Sequence, residues 1–190
     1  MNGGNDFIQL FTHVTDMDSQ NQLINTFTGF GYQYCRNFKK GTGINYWHPG
    51  FAWACNRDTY DKIGGLYQEG ILGDGDNVMA HLIIQHSGSV LKSGMNGEYI
   101  RFITDIQKKY TDIKLGFVPG NIRHYFHGKR KNINYSNRED RLISHQYNPY
   151  TFITTNENRL IIPTKEFPFE LLKEIDNYFK CRNEDEIDIE

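Results

Sequence analysis

Cysteine is scarce in this chain of 190 residues: Cys35, Cys55 and Cys181 are odd in number, far apart and never in a CxxC pair. That pattern excludes a disulfide scaffold and a cysteine-held zinc site, and reads as reduced thiols in a reducing compartment. An excess of one charge is also lacking. The 21 Lys and Arg face 23 Asp and Glu, a formal net charge of -2, which argues against a nucleic-acid binder that works through a basic face. No apolar run approaches the roughly 18 residues of a membrane span. The opening MNGGNDFIQLF has no basic stretch followed by an apolar one, so no secretion signal is expected. No internal repeat is visible. The expectation is a soluble, cytoplasmic protein of one main domain, long enough to bury a core.

What the chain has in quantity is aromatic surface: 13 Phe, 12 Tyr and 2 Trp, enough for a dense core and suited to stacking on sugar rings. Phe7 to Val14 reads as a buried strand, and residues 19–48, with Gly29, Gly31, Gly41 and Gly43, as a long irregular connection. Phe51 to Cys55 reads as a second buried strand. Asn56 is placed to cap a short helix from Arg57 to Ile63 that stops at Gly64-Gly65. Val78, Met79, Leu82, Ile83 and His86 fall at helical spacing behind Asp74 or Asp76 as the N-cap. A further amphipathic helix is expected over Glu98–Tyr110 through Ile100, Ile103 and Ile106. Strands follow at Ile113–Val118 and Asn121–Gly128, then helices at Ser136–Gln146 and Phe167–Cys181 and an acidic tail, NEDEIDIE. Strands alternating with helices predict an α/β domain with a mixed sheet.

Three groups of residues carry candidate chemistry. Gly73-Asp74-Gly75-Asp76 sets two acids among glycines at a helix start, which suits a general base approached closely by a ligand; ordinary helix capping accounts for the same string. His124 and His127 lie three apart. On a strand they point to opposite faces, so one of them alone would serve an ion, and a structural histidine is an equal reading. Lys129 and Arg130 follow and could meet phosphate oxygens, or form an exposed basic loop. Asp16-Met17-Asp18 is a DxD at a strand end, whose carboxylates suit Mg2+ or Mn2+, although so short a motif also arises by chance.

Taken as an ordered set, the segments say more. Trp47-His48-Pro49-Gly50-Phe51-Ala52-Trp53-Ala54 comes first, then Arg57 to Leu66 (RDTYDKIGGL), then Ile71-Leu72-Gly73-Asp74-Gly75-Asp76. Val118-Pro119-Gly120, His124-Tyr125-Phe126-His127-Gly128, Tyr135, Arg138 and Tyr147-Asn148-Pro149 complete it. This set resembles the acceptor-side, C-terminal half of GT-A fold glycosyltransferases, close to the family-2-like enzymes of bacteria and large DNA viruses. The resemblance covers about residues 7–150. Residues 151–182 would be a strand and helix extension, and 183–190 a tail.

The resemblance implies a partial Rossmann-like mixed sheet flanked by helices, and transfer of a sugar from a nucleotide-sugar donor to a hydroxyl acceptor with Mn2+ or Mg2+. Asp76 would be the catalytic base and Asp74 its neighbour. Trp53, His48 and Trp47 would line the sugar and acceptor pocket, and Lys129 and Arg130 would touch phosphates. His127 would hold the metal or the diphosphate, with His124, Asp16 and Asp18 as lesser candidates. If the source is viral, the setting would be the host cytoplasm. The family's nucleotide-binding N-terminal half has no counterpart here, which leaves room for a partner chain that supplies it. The alternative function is a non-catalytic carbohydrate-binding or partner module. A metal-dependent hydrolase using Asp76 and His127 ranks third.

Overall fold

The computed structural model describes residues 4–42, 45–126 and 138–181. It is a mixed α/β structure whose strands pair both parallel and antiparallel, with helices packed on them. Strand β1 (Phe7–Gln9) is the centre of a three-stranded sheet. It pairs antiparallel with β5 (Trp53–Cys55) and parallel with β6 (Leu115–Phe117).

The expected single strand over Phe7–Val14 is broken. After Gln9 the chain bends and continues as β2 (His13–Met17) in a second sheet, of order β4-β3-β2-β7. There β3 is Leu23–Gly29, β4 is Trp47–His48 and β7 is Asn121–His124. β6 and β7 bend alongside, at Pro119-Gly120, so the two sheets share one bent parallel ribbon. The Val118 N–H donates to the Gln9 carbonyl (2.9 Å), and the Thr12 N–H to the Gly120 carbonyl (2.9 Å).

Residues 19–48 are not one irregular connection. They hold β3, a six-residue helix α1 (Phe30–Cys35) and β4. The glycines that suggested a loop serve close packing instead. A Cβ on Gly29 would stand 2.9 Å from Gln9 Oε1, and one on Gly31 would stand 3.0 Å from the Gly116 carbonyl.

Helix α2 (Arg57–Ile63) forms where Asn56 and Gly64 bracket it. Helix α3 spans Gly75–Ile83, and α4 spans Gly97–Gln107 with a 3-10 turn to Tyr110. The buried stripe of α4 runs through Tyr99, Ile103, Ile106 and Tyr110, with Ile100 left out of the buried cluster. Tyr99 takes that face because its hydroxyl meets the Tyr67 hydroxyl at 2.7 Å inside the core. Beyond the described gap come α5 (Arg138–Ser144), α6 (Pro149–Phe152), the hairpin β8 (Ile153–Thr155) with β9 (Ile161–Pro163), and α7 (Phe169–Cys181). The extension is part of the core rather than an appendage. Leu171 and Tyr178 of α7 are buried in the same cluster as Phe7, Leu72, Leu82 and Ile103. No helix among the described residues is long and apolar enough to cross a membrane. The acidic tail, Tyr135, and the expected site residues His127, Lys129 and Arg130 lie outside the described residues.

Candidate functional site

A cleft of about 850 Å³ opens where the ends of β2 and β7 face the turns before β5 and α3. Its floor begins in strand register. Asp16 of β2 lies directly beside His124 of the parallel strand β7. Alternation along β2 turns Val14 and Asp16 inward, so Asp16 occupies a buried position, 4 % exposed. A buried carboxylate needs a donor, and the His124 ring nitrogen Nδ1 supplies one at 2.8 Å. A register irregularity between Asp16 and Met17 ends this regular stretch beside the cleft. Asp18 falls past it. Its Oδ1 accepts the N–H groups of Gln20 (2.9 Å) and Gln22 (2.7 Å), an Asx-type closure of the β2–β3 turn, and Asp18 does not line the cleft.

The second wall is the turn His48-Pro49-Gly50-Phe51. The Gly50 N–H donates to His48 Nδ1 (3.1 Å), so in the neutral ring Nε2 carries the proton. Position 50 has no room for a side chain: a Cβ there would lie 2.8 Å from His48 Cε1 and 3.1 Å from Asp76 Oδ2. Phe51 follows with φ +69, left-handed backbone that a bulky residue rarely adopts. Its ring stacks on His48 (centroids 4.7 Å apart) and meets His124 edge-on (4.8 Å).

Beneath the turn lies Gln9, wholly buried. Its amide nitrogen donates to the carbonyls of His48 (3.0 Å) and Gly50 (3.2 Å), and its amide oxygen accepts the Gly31 N–H (2.8 Å). One buried side chain thus ties the turn to α1 and β1. A glutamine within the apolar run FIQLF is a signal that could have found it.

The third wall is Gly73-Asp74-Gly75-Asp76 at the start of α3. Asp74 occupies the N-cap position at φ +64 but makes no side-chain bond to the helix backbone. Its Oδ2 accepts from Asn77 Nδ2 at 3.1 Å. Asp76 Oδ1 accepts the Asn77 N–H (2.9 Å), while Oδ2 points toward Gly50. Burial is the main force raising the Asp74 pKa above the usual carboxylate range. The neighbouring Asp76 charge adds to it, and Asn77, Lys92 and Arg138 pull the other way. Tyr46, across the cleft, is likewise raised, first by burial and then by the charges of Asp74 and Asp76. Cations stand beside these acids. Arg138 presses on Gly73, where a Cβ would stand 2.5 Å from its Nη1, and Lys92 pairs with Glu139.

Asp16, His48, Asp74, Asp76 and His124 therefore come together from four separate segments. The two tryptophans do not join them on this cleft. Trp47 packs edge-on against Phe30 (5.4 Å) and Tyr34 (6.4 Å). Trp53 donates from Nε1 to the Pro49 carbonyl (2.7 Å) and lines a second, smaller pocket. Phe51, Tyr46, Lys92, Arg138 and Glu139 stand on the main cleft without having been singled out for it by spacing. For Phe51 no local signal exists, since phenylalanine disfavours the conformation it adopts. Among the described residues no group of three or more His, Cys, Asp or Glu side chains is placed to hold a metal, and Asp16 and His124 are engaged with each other. Comparison of the chain with protein families, with curated proteins and with solved structures gave no match.

Proposed function

We propose that this protein is a GT-A-type glycosyltransferase that moves a sugar from a nucleotide-sugar donor to a hydroxyl acceptor, with Asp76 as general base. The observation that carries the reading is the convergence of Asp16, His48, Asp74, Asp76 and His124 on one cleft that Lys92 and Arg138 also line. Acids and cations gathered on one cleft suit a substrate that must lose a proton and shed an anion.

In the reaction the acceptor hydroxyl gives its proton to Asp76 Oδ2. The hydroxyl oxygen forms a bond to the donor's anomeric carbon, and the bond from that carbon to the diphosphate oxygen breaks. The diphosphate departs with the bonding electrons. Asn77 holds Oδ1 so that Oδ2 faces the acceptor. Asp74 keeps a second acid beside the first. Lys92 and Arg138 would meet the departing charge; Lys129 and Arg130, the phosphate contacts that the resemblance implies, lie outside the described residues. A divalent ion, if the reaction uses one, would meet His124 with Asp16 orienting its ring through Nδ1; when bound, it would offset diphosphate charge.

The test is calorimetric titration of the chain with UDP, GDP and TDP, each with and without Mn2+. Metal-dependent micromolar binding of one of them is expected, with transfer slowed by about 10²–10⁴-fold in Asp76→Asn. Failure of all three nucleotides to bind would overturn the reading. The second reading, a non-catalytic carbohydrate-binding or partner module, draws on Leu23 and Ile24, 63 % and 54 % exposed at the start of β3. It predicts carbohydrate or protein binding without any nucleotide affinity.

A further inference from the structure

A second pocket, of 390 Å³, lies on the other side of Phe51 and Asp76, and these two residues line both it and the main cleft. Its walls are of a different chemistry. Besides Asp76, the lining is aromatic or apolar, with Trp53, Tyr60, Leu66 and Met79 among it, and Asp76 is the one carboxylate present. Cys55 and Tyr67 also face it. Burial raises both of their pKa values, so neither adds charge at neutral pH. Arg57 stands over the Tyr60 ring at 5.4 Å but pairs with Asp61 and does not line the pocket.

Trp53 is preorganised. Its indole N–H is held by the Pro49 carbonyl, and its ring packs edge-on against Phe7 (5.8 Å), so little ordering is left for a ligand to impose. Tyr60 and Leu66, 37 % and 54 % exposed, keep apolar surface in contact with solvent. The volume falls in the range of about 300–1,000 Å³ typical of small-molecule sites.

We infer that this second pocket seats the acceptor, and that the acceptor is an uncharged alcohol with an aromatic or apolar face beside its hydroxyl. The inference rests on the proposed transferase reading and adds to it the class of acceptor. An anionic acceptor would bring a second negative charge beside Asp76 with no cation in the lining to meet it, which is costly away from water. A neutral alcohol instead places its O–H at a carboxylate oxygen of Asp76. Its proton passes to that oxygen, and its oxygen bonds to the anomeric carbon held in the main cleft, from which the diphosphate leaves with its electron pair.

The test uses the full chain, labelled with nitrogen-15, and two probes: 2-naphthalenemethanol, neutral, and 2-naphthoate, anionic. The indole N–H signals of Trp53 and Trp47 report the second pocket and an internal control. The neutral probe is expected to shift Trp53 and leave Trp47 in place, and the anionic probe to bind at least about tenfold more weakly. Leu66→Glu and Tyr60→Ala, both at exposed positions, should each weaken the neutral probe by about tenfold or more without changing nucleotide affinity. A silent Trp53, equal binding of the two probes, indifference to both substitutions, or displacement of the neutral probe by a nucleotide would each overturn the inference. Nucleotide binding with a silent Trp53 removes the subsite and keeps the transferase reading. A Trp53 response without nucleotide binding sustains the pocket's chemistry and removes the transferase reading.

Discussion

Helices α2 and α3 begin within twenty residues of each other, each behind a residue that ordinarily caps a helix, and they use it in opposite ways. Asn56 sits in extended backbone (φ -74, ψ 162), and its side-chain oxygen accepts the Thr59 N–H at 2.7 Å. The helix then closes on Gly64 in the left-handed region, where glycine carries no steric cost. Asp74 stands at φ +64 and leaves the helix backbone uncapped by its side chain. Its carboxylate goes to Asn77 and the cleft, burial raises its pKa, and Asp76 adds a second acid beside it. The first start follows every local rule of stability. The second departs from them where acids gather on a cleft, and such departures are expected at functional sites.

Substitutions at the two starts should separate function from stability, and the largest effect belongs to Asp76. Asp76→Asn is expected to lower the initial rate of transfer by about 10²–10⁴-fold while thermal melting moves by no more than about 2 °C. A variant that keeps its rate would remove Asp76 as the base. Gly50→Ala comes next. The added methyl must displace the His48 ring and crowd Asp76 Oδ2, so a fall in kcat of about 10²-fold is expected from misplacement alone. Unchanged kcat would mean that the turn does not position the reacting groups. At the other start, Asn56→Ala should cost about 1 kcal/mol, a loss of about 2–4 °C in melting temperature, with the rate unaltered. A fall in rate there would erase the contrast between the two helices.

The contrast also explains what was legible in the sequence. α2 could be read to the residue because everything that starts and stops it is local: Asn56 before it, Gly64 after it. The body of α3 was legible from Val78, Met79, Leu82 and Ile83, though the helix ends at Ile83 and leaves His86 outside it, and its acids were legible from the surrounding glycines. What they do was not legible from capping rules, since those rules assign Asp74 to the helix. The break between β1 and β2 and the whole of β3, α1 and β4 were hidden for a tertiary reason. Gly29 and Gly31 are small because Gln9 and the Gly116 carbonyl lie against them, a fact carried by residues far away in the chain. The pairing of Asp16 with His124 depends on the register of two strands more than a hundred residues apart. Phe51 was legible as an aromatic but not in its left-handed conformation, in which its ring meets His48 and the distant His124.

The smallest effect is the most pointed. Asp74 is held above the usual carboxylate range mainly by burial, so the native state binds its proton more tightly than the unfolded chain does. A group raised in this way stabilises the fold below its unfolded pKa of about 3.9 and loses that contribution as pH rises through the folded value. At neutral pH the ionised Asp74 is therefore a burden on stability. Asp74→Asn removes the ionisation and keeps an acceptor oxygen for Asn77. Its melting temperature should exceed that of the parent by on the order of 2 °C at pH 7, and the difference should vanish as the pH is lowered below about 3.9. On the proposed reading the same substitution should lower the transfer rate, by less than Asp76→Asn does, because it removes the neighbouring charge but not the proposed base. A variant made more stable and less active at one helix start, set against Asn56→Ala, less stable and equally active at the other, would show that the acid at position 74 is kept against the interest of the fold. A lower melting temperature at pH 7 would instead make Asp74 a structural residue, and the strain at φ +64 would need another cause.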